Sequence, residues 1–278
     1  MSATPATTRT VNLGSGLQVT IDEKGDAAAD DGNGLLVLHG GGGPQSVAGL
    51  AAALSEHAYV VTPVHPGFNG TPRVPWLHSV DELADVYLDL LDALGLNSVM
   101  VIGTSLGGWI GSEMTLRDIH GQVRSLVLLN AAGIRPDDDQ QVTDIRALPP
   151  AESGRLSSSN LAFQPEPAAM SEEQRPGLAA SQQANASYAG EYFIFEPRLR
   201  RRLHRVTIPV LVAWGQDGGV VTAEYARSYA DAFANGHFQP ISEAGHFPDT
   251  EQPGAVLAAI ADFVDNVIKP QRVPQAQA

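Results

Sequence analysis

Three side chains, Ser105, Asp217 and His246, have the types and chain order for acyl-transfer chemistry. Ser105 stands in Gly103-Thr104-Ser105-Leu106-Gly107, a G-x-S-x-G pentapeptide with Gly108 directly after it. A serine hydroxyl is a weak nucleophile until a histidine takes its proton, and that histidine needs a carboxylate to fix its tautomer. His246 lies in Glu243-Ala244-Gly245-His246-Phe247-Pro248, in the loop after the last expected strand, and Asp217 follows a strand ending at Trp214. The order is therefore serine, acid, histidine. A glycine-rich turn with a chance serine is the competing reading of the pentapeptide. The apolar run over residues 98–102 and the helical pattern from Trp109 onward weigh against it.

The turn between that strand and helix has to be tight. It lifts the Ser105 hydroxyl clear of the sheet and sets it at the positive end of a helix, where the Leu106 amide can face a developing oxyanion. A second glycine-rich turn, His39-Gly40-Gly41-Gly42-Gly43-Pro44, follows the apolar strand Leu35-Leu36-Val37-Leu38. It lacks the Gly-Lys-Ser/Thr of a nucleotide-binding loop, and Gln45 stands where a dinucleotide fingerprint needs glycine. It reads instead as an oxyanion loop with the Gly41 amide as second donor and His39 as a structural brace. Gly42, Phe68, Thr104, Trp109 and Phe247 flank these motifs and are the expected pocket residues.

These groups need a scaffold. Expected strands alternate with expected helices from residue 35 to residue 129, after a hairpin near residues 10–22. Ser79-Val80-Asp81-Glu82 is a capping box at the head of an amphipathic helix that ends at Gly95. Such alternation implies an α/β fold: a mostly parallel sheet with helices on both faces. It breaks off between about Gly133 and Arg205, a proline-rich stretch read as an inserted helical cap with helices near 171–195 and 197–205. The expected division is core 9–133, cap 134–205, core 206–268, with loose ends at 1–8 and 269–278. The basic run over residues 198–205 reads as a solvated helix with Leu199 and Leu203 inward. Asn69-Gly70-Thr71 and Asn185-Ala186-Ser187 are formal glycosylation sequons that read as chance without a signal peptide.

Composition bounds the rest. The 278 residues are 43% hydrophobic, enough for one large domain with an insertion. Lys+Arg is 17 against Asp+Glu 31, a formal net charge of −14. Such a balance argues against nucleic acid or an anionic membrane as partner. There is no cysteine, so disulfides, thiolate metal sites and a cysteine nucleophile are excluded. No run has transmembrane length, and a cytoplasmic location is expected. The expected partner is a small-molecule substrate, with no cofactor and no metal; self-association stays open.

Over nearly its whole length the chain resembles the α/β-hydrolase superfamily, through His39–Gly43, Gly103–Gly108, Trp214–Asp217 and Gly245-His246. His39-Gly40-Gly41-Gly42 with Pro66-Gly67-Phe68-Asn69 looks most like the meta-cleavage product hydrolases, which split carbon–carbon bonds of ring-fission products. Those enzymes usually carry tryptophan after the catalytic histidine, where this chain has Phe247. The resemblance implies a serine hydrolase acting on an ester, lactone, thioester or activated C–C bond. It also exposes a departure. The family commonly keeps its acid four residues after the tryptophan, and here that position is Gly218. Either a tighter loop lets Asp217 reach His246, or the acid role is weakened or lost. Asn130 occupies the other place where the superfamily sometimes keeps an acid. The alternative function is therefore a non-hydrolytic lyase or cyclase, or a ligand-binding protein, on the same fold.

Overall fold

The computed structural model describes residues 7–27, 32–138, 142–144, 148–158, 174–192 and 194–269. Residues 1–6, 28–31, 270–278 and parts of the proline-rich segment, including 171–173 at the start of its first expected helix, lie outside the described residues.

Eight strands form one sheet: β1 (Thr7–Asn12), β2 (Gln18–Lys24), β3 (Asn33–Leu38), β4 (Val60–Pro63), β5 (Ser98–Thr104), β6 (Val123–Leu129), β7 (Val210–Gly215) and β8 (Gly236–Ile241). Their order is β1-β2-β4-β3-β5-β6-β7-β8. β1 and β2 are the expected hairpin, and β2 runs antiparallel to β4. All later pairings are parallel. The first strand begins at Thr7, inside the stretch expected to be loose, because Thr7 and Thr8 continue the ladder opposite Glu23 and Asp22.

The central strands are apolar on both faces, as a parallel sheet covered by helices on both sides requires. Leu36, Leu38, Val101 and Leu126 point into a core beneath α2 (Val80–Leu94), α3 (Leu106–Arg117) and α6 (Ala223–Ala232). Val37, Ile102, Val127 and Leu211 point the other way, toward α1 (Ala48–Leu54) and α8 (Pro253–Phe263). Between α7 (Pro248–Glu251) and β8 lies the loop that carries His246. α2 opens on the expected capping box: Ser79 Oγ accepts from the Glu82 amide, and Glu82 Oε2 accepts from the Ser79 amide at 3.0 Å.

Between β6 and β7 the chain leaves the sheet. Its described helices are α4 (Pro150–Ser157), which the sequence pattern did not suggest, and α5 (Gln174–Ala189). The helix expected at 197–205 is a string of turns ending in a short 3₁₀ turn at Leu203–Arg205. Leu199 and Leu203 are nonetheless fully buried. Three of the five arginines of that run pair with carboxylates: Arg198 with Glu196, Arg200 with Asp137, and Arg202 with the buried Glu113 at 2.6 Å. The run is held by i→i+3 turn bonds, such as Arg202 N to Leu199 O at 2.8 Å and Arg205 N to Arg202 O at 3.0 Å, by its two buried leucines and by the Arg202–Glu113 pair.

Candidate active site

Ser105 closes β5 and caps α3 with φ 52° and ψ −114°, in a region non-glycine residues rarely adopt. Strain of this kind persists only when the surroundings over-determine it. Here the Ser105 amide donates to Leu129 O at 3.0 Å, and its carbonyl accepts from the Gly108 and Ala132 amides, each at 3.0 Å. The flanking glycines are obligatory. A Cβ on Gly103 would lie 2.3 Å from Gly107 O, and one on Gly107 would lie 2.1 Å from Leu38 O. The elbow is thus pressed against the end of β3, where the second glycine turn begins.

Two buried histidines hold that second turn. His39 Nδ1 lies 2.7 Å from Gly40 O and must carry the proton, which leaves Nε2 to accept from the His65 amide at 3.1 Å. His65 Nε2 donates in turn to His39 O at 2.8 Å, while its Nδ1 faces the Tyr87 hydroxyl. The rings stack at 3.6 Å. Burial lowers His39 to a pKa of about 4 and holds His65 well below its ordinary value, so both stay neutral braces. The amides of Gly41 and Leu106 donate to no described residue.

His246 approaches Ser105 from the loop after β8. Its Nε2 lies 3.2 Å from Ser105 Oγ. Its amide donates to Ser157 O at the end of α4, and the preceding Gly245 amide donates to Glu251 Oε1 at 3.1 Å. Desolvation lowers its pKa to about 4 against a raising influence from Glu251. An uncharged imidazole is the form that can accept the serine proton.

The other ring nitrogen tells a different story. His246 Nδ1 is buried and has no hydrogen-bond partner among the described residues. Asp217 does not supply one: the residue is exposed, and only its backbone amide is engaged, donating to Ala244 O at 2.9 Å. This corrects the assignment of Asp217 as the acid, and the reason lies in the loop. The Gln216 and Asp217 amides pair with Ile241 O and Ala244 O, and Gly218 then lies beside the backbone that leads into His246. A Cβ on Gly218 would sit 3.2 Å from His246 N. Asn130 is spent elsewhere, its Oδ1 accepting from the Gly215 amide at 2.9 Å. The buried carboxylic acid nearest in sequence, Asp249, is pushed up to about 6 by desolvation, and its Oδ1 is likewise unpartnered among the described residues.

A cavity of about 210 Å³ joins these groups. Ser105, His246, Gly41 and Leu106 line it, with Gly42, Trp109 and Phe247 as expected from the sequence. Phe68 and Thr104 do not. Phe68 is fully buried, edge-on to both bracing histidines, and Thr104 Oγ1 is sealed without a partner. The sequence reading missed the wall built by the segment between β6 and β7: Ser157, Asn185, Ala189 and Ile194. No spacing rule could single these out, because they come from stretches without a clear period. Among the described residues there is no cluster of side chains suited to a metal ion, and no helix is long and apolar enough to cross a membrane.

Residues 35–260 match the alpha/beta hydrolase family. The chain belongs to that family. It is 32% identical over 127 residues to the 2-hydroxy-6-oxo-2,4-heptadienoate hydrolase of Pseudomonas putida, a match spanning 44% of each chain. It is 24% identical over 254 residues, 85% of each chain, to the 2-hydroxy-6-oxo-6-(2'-aminophenyl)hexa-2,4-dienoic acid hydrolase of Metapseudomonas resinovorans. Among solved structures, a thermophilic esterase from Thermogutta terrifontis superimposes with a TM-score of 0.74 at 22% identity, covering 94% of this chain and 99% of that one. A meta-cleavage product hydrolase from Pseudomonas fluorescens gives 0.74 at 19%, covering 92% and 97%. Such structural likeness establishes the alpha/beta hydrolase fold, and the family membership makes this chain a hydrolase-family enzyme.

Proposed function

We propose that the protein is a serine hydrolase that works with a Ser105–His246 pair. In this reading His246 Nε2 takes the Ser105 proton as Oγ attacks a carbonyl carbon. The Gly41 and Leu106 amides receive the oxyanion, and His246 returns the proton to the leaving group. The observation that carries it is the 3.2 Å approach of a neutral imidazole to a serine held at positive φ. That distance is somewhat long, as is common before substrate binds. The cavity is smaller than the roughly 300–1,000 Å³ usual for drug-sized ligands, and most of its lining is apolar. A small ester, lactone or thioester with a hydrocarbon acyl group fits that description. The names of the two curated relatives favour adding activated C–C substrates, vinylogous diketones, to any panel.

The unpartnered His246 Nδ1 favours a second reading, a lyase, cyclase or ligand-binding protein that keeps the pocket with a weakened base. A fluorophosphonate separates the two. The hydrolase reading expects the probe to phosphonylate Ser105 with loss of fluoride. Ser105→Ala should abolish labelling and lower ester turnover by about four orders of magnitude or more while the fold persists. A wild-type protein that is neither labelled nor active on any ester, lactone or diketone would rule the hydrolase reading out.

A further inference from the structure

The sequon at Asn185 has a different significance in the folded chain. α5 lies across the turn that follows β4, and one face of the helix is anchored there. Ser181 Oγ accepts from the Asn69 amide at 3.0 Å, and the Tyr188 hydroxyl donates to Pro66 O at 2.9 Å. The Ala184 methyl lies 3.2 Å from where a Gly67 Cβ would be. Residues 181, 184, 185 and 188 share that face by helical spacing. Asn185 is therefore presented inward, half-buried, by its anchored neighbours on either side.

Its carboxamide lies flat over Gly41. A Cβ at Gly41 would meet Asn185 Nδ2 at 2.9 Å, Cγ at 3.0 Å and Oδ1 at 3.1 Å. The amide lines the same cavity as Ser105 and His246, and it makes no hydrogen bond to a described residue. A polar amide on the packed face of a helix is costly unless something satisfies it. Ser157 lines the same cavity, and its hydroxyl proton is given to Ser153 O at 2.8 Å. Much of the remaining lining, including Trp109, Ala132, Ile194, Val220 and Val221, is hydrocarbon. The polar end of any ligand is thus drawn to the end where Asn185 lies beside Gly41.

We propose that Asn185 is a third oxyanion donor, its Nδ2 amide reaching the carbonyl oxygen alongside the Gly41 and Leu106 amides. The proposal rests on the serine hydrolase reading above. The two orientations of the carboxamide are not distinguished by any protein partner, so Nδ2 can face the cavity without breaking a bond. A donor aimed at the oxyanion acts on the transition state more than on the bound ester. Its loss therefore falls on kcat.

The test compares wild type with Asn185→Ala and the isosteric Asn185→Asp. Melting temperatures report on folding. The readouts are steady-state constants on p-nitrophenyl acetate and the rate of phosphonylation by a fluorophosphonate, whose P=O oxygen occupies the oxyanion position. Asn185→Ala should lower kcat by about 10- to 100-fold with KM within about two-fold, and should slow phosphonylation in parallel. Asn185→Asp should lose more, since it places a carboxylate beside the developing negative charge. Asn185→Gln, which keeps the amide, should recover part of the rate. Folded Ala and Asp variants with kcat within two-fold of wild type would overturn the proposal, as would a loss confined to KM. A wild-type protein that the probe does not label removes the hydrolase reading first, and this assignment with it.

Discussion

The two ring nitrogens of His246 look onto neighbourhoods built to different standards. On the Nε2 side the elbow is fixed at every point: the Ser105 amide and carbonyl are bonded, its glycines admit no side chain, and two stacked histidines brace the facing turn. On the Nδ1 side is a buried nitrogen without a hydrogen-bond partner among the described residues, and Asp217, expected there, is exposed. The nucleophile and oxyanion half of the machinery is over-determined. The half that pins the tautomer is bare of a hydrogen-bonded acid among the described residues, though the Glu251 charge favours the imidazolium against the larger effect of desolvation. Hydrolysis without an acid still draws on attack geometry and oxyanion donors, but in the protease precedent it runs about four orders of magnitude slower.

The contrast makes graded demands. Ser105→Ala has the largest expected effect, since it removes the one group on which the fixed half converges. Next comes repair of the bare half. Gly218→Asp places a carboxylate beside the backbone of His246, at the family's usual spacing from Trp214, and it should raise kcat on activated esters by about 10- to 100-fold. The new Cβ lies 3.2 Å from His246 N, so the loop must give by a few tenths of an ångström. A folded Gly218→Asp protein with unchanged or lower kcat would mean that Nδ1 is served in some other way.

The pH profile probes the same comparison more gently. With a pKa of about 4, lowered chiefly by desolvation, His246 is already neutral well below pH 6.5. The acid limb of kcat/KM should therefore fall near pH 4–5, where an ordinary histidine would have lost activity two units higher. In Gly218→Asp the carboxylate favours the imidazolium, and the limb should move up toward neutrality. Stability follows with its own sign. Between pH 6.5 and 4 the unfolded chain takes up a proton on this histidine that the native state refuses. His39 and His65 behave alike, and Asp249, raised to about 6, opposes them with a single proton, so melting temperature should still drop on balance as pH falls through that window. A wild-type acid limb at pH 6–7 would show that a charge partner, Glu251 or another, outweighs the desolvation of His246.

What the sequence made legible follows the same divide. The elbow and the glycine turn could be read because sterics leave few residue types there, and tight turns write themselves into local sequence. The sheet could be read because apolar β-branched runs alternate with capped helices. The pocket wall was not legible: Asn185 and Ser157 belong to helices placed by contacts with the core, not by their own periodicity. Phe68 and Thr104 sit beside the right motifs, yet their side chains are turned into the core. The acid failed for a third reason. A carboxylate one residue from the required place is indistinguishable by composition from one in place, and it is the loop's fold that leaves Asp217 exposed.

Asp217 gives the smallest expected effect and the sharpest contrast with its neighbour. In a working triad, Asp→Asn costs about 10⁴-fold in kcat because the amide favours the wrong tautomer. Here the Asp217 residue is exposed, and the contact to Ala244 is made by its backbone, which any residue keeps. At an exposed position a carboxylate out of hydrogen-bonding contact with the imidazole is screened by water and salt. Asp217→Asn should therefore leave kcat and KM within about two-fold, and the acid limb unmoved. The measurement is steady-state kinetics on p-nitrophenyl acetate at pH 7 beside a Gly218→Asp control. The two substitutions are one residue apart, one deleting a carboxylate and one adding it, and only the second should register. A thousandfold loss in Asp217→Asn would instead mean that the loop closes on substrate, swings Asp217 onto Nδ1, and completes a triad that the resting enzyme does not hold.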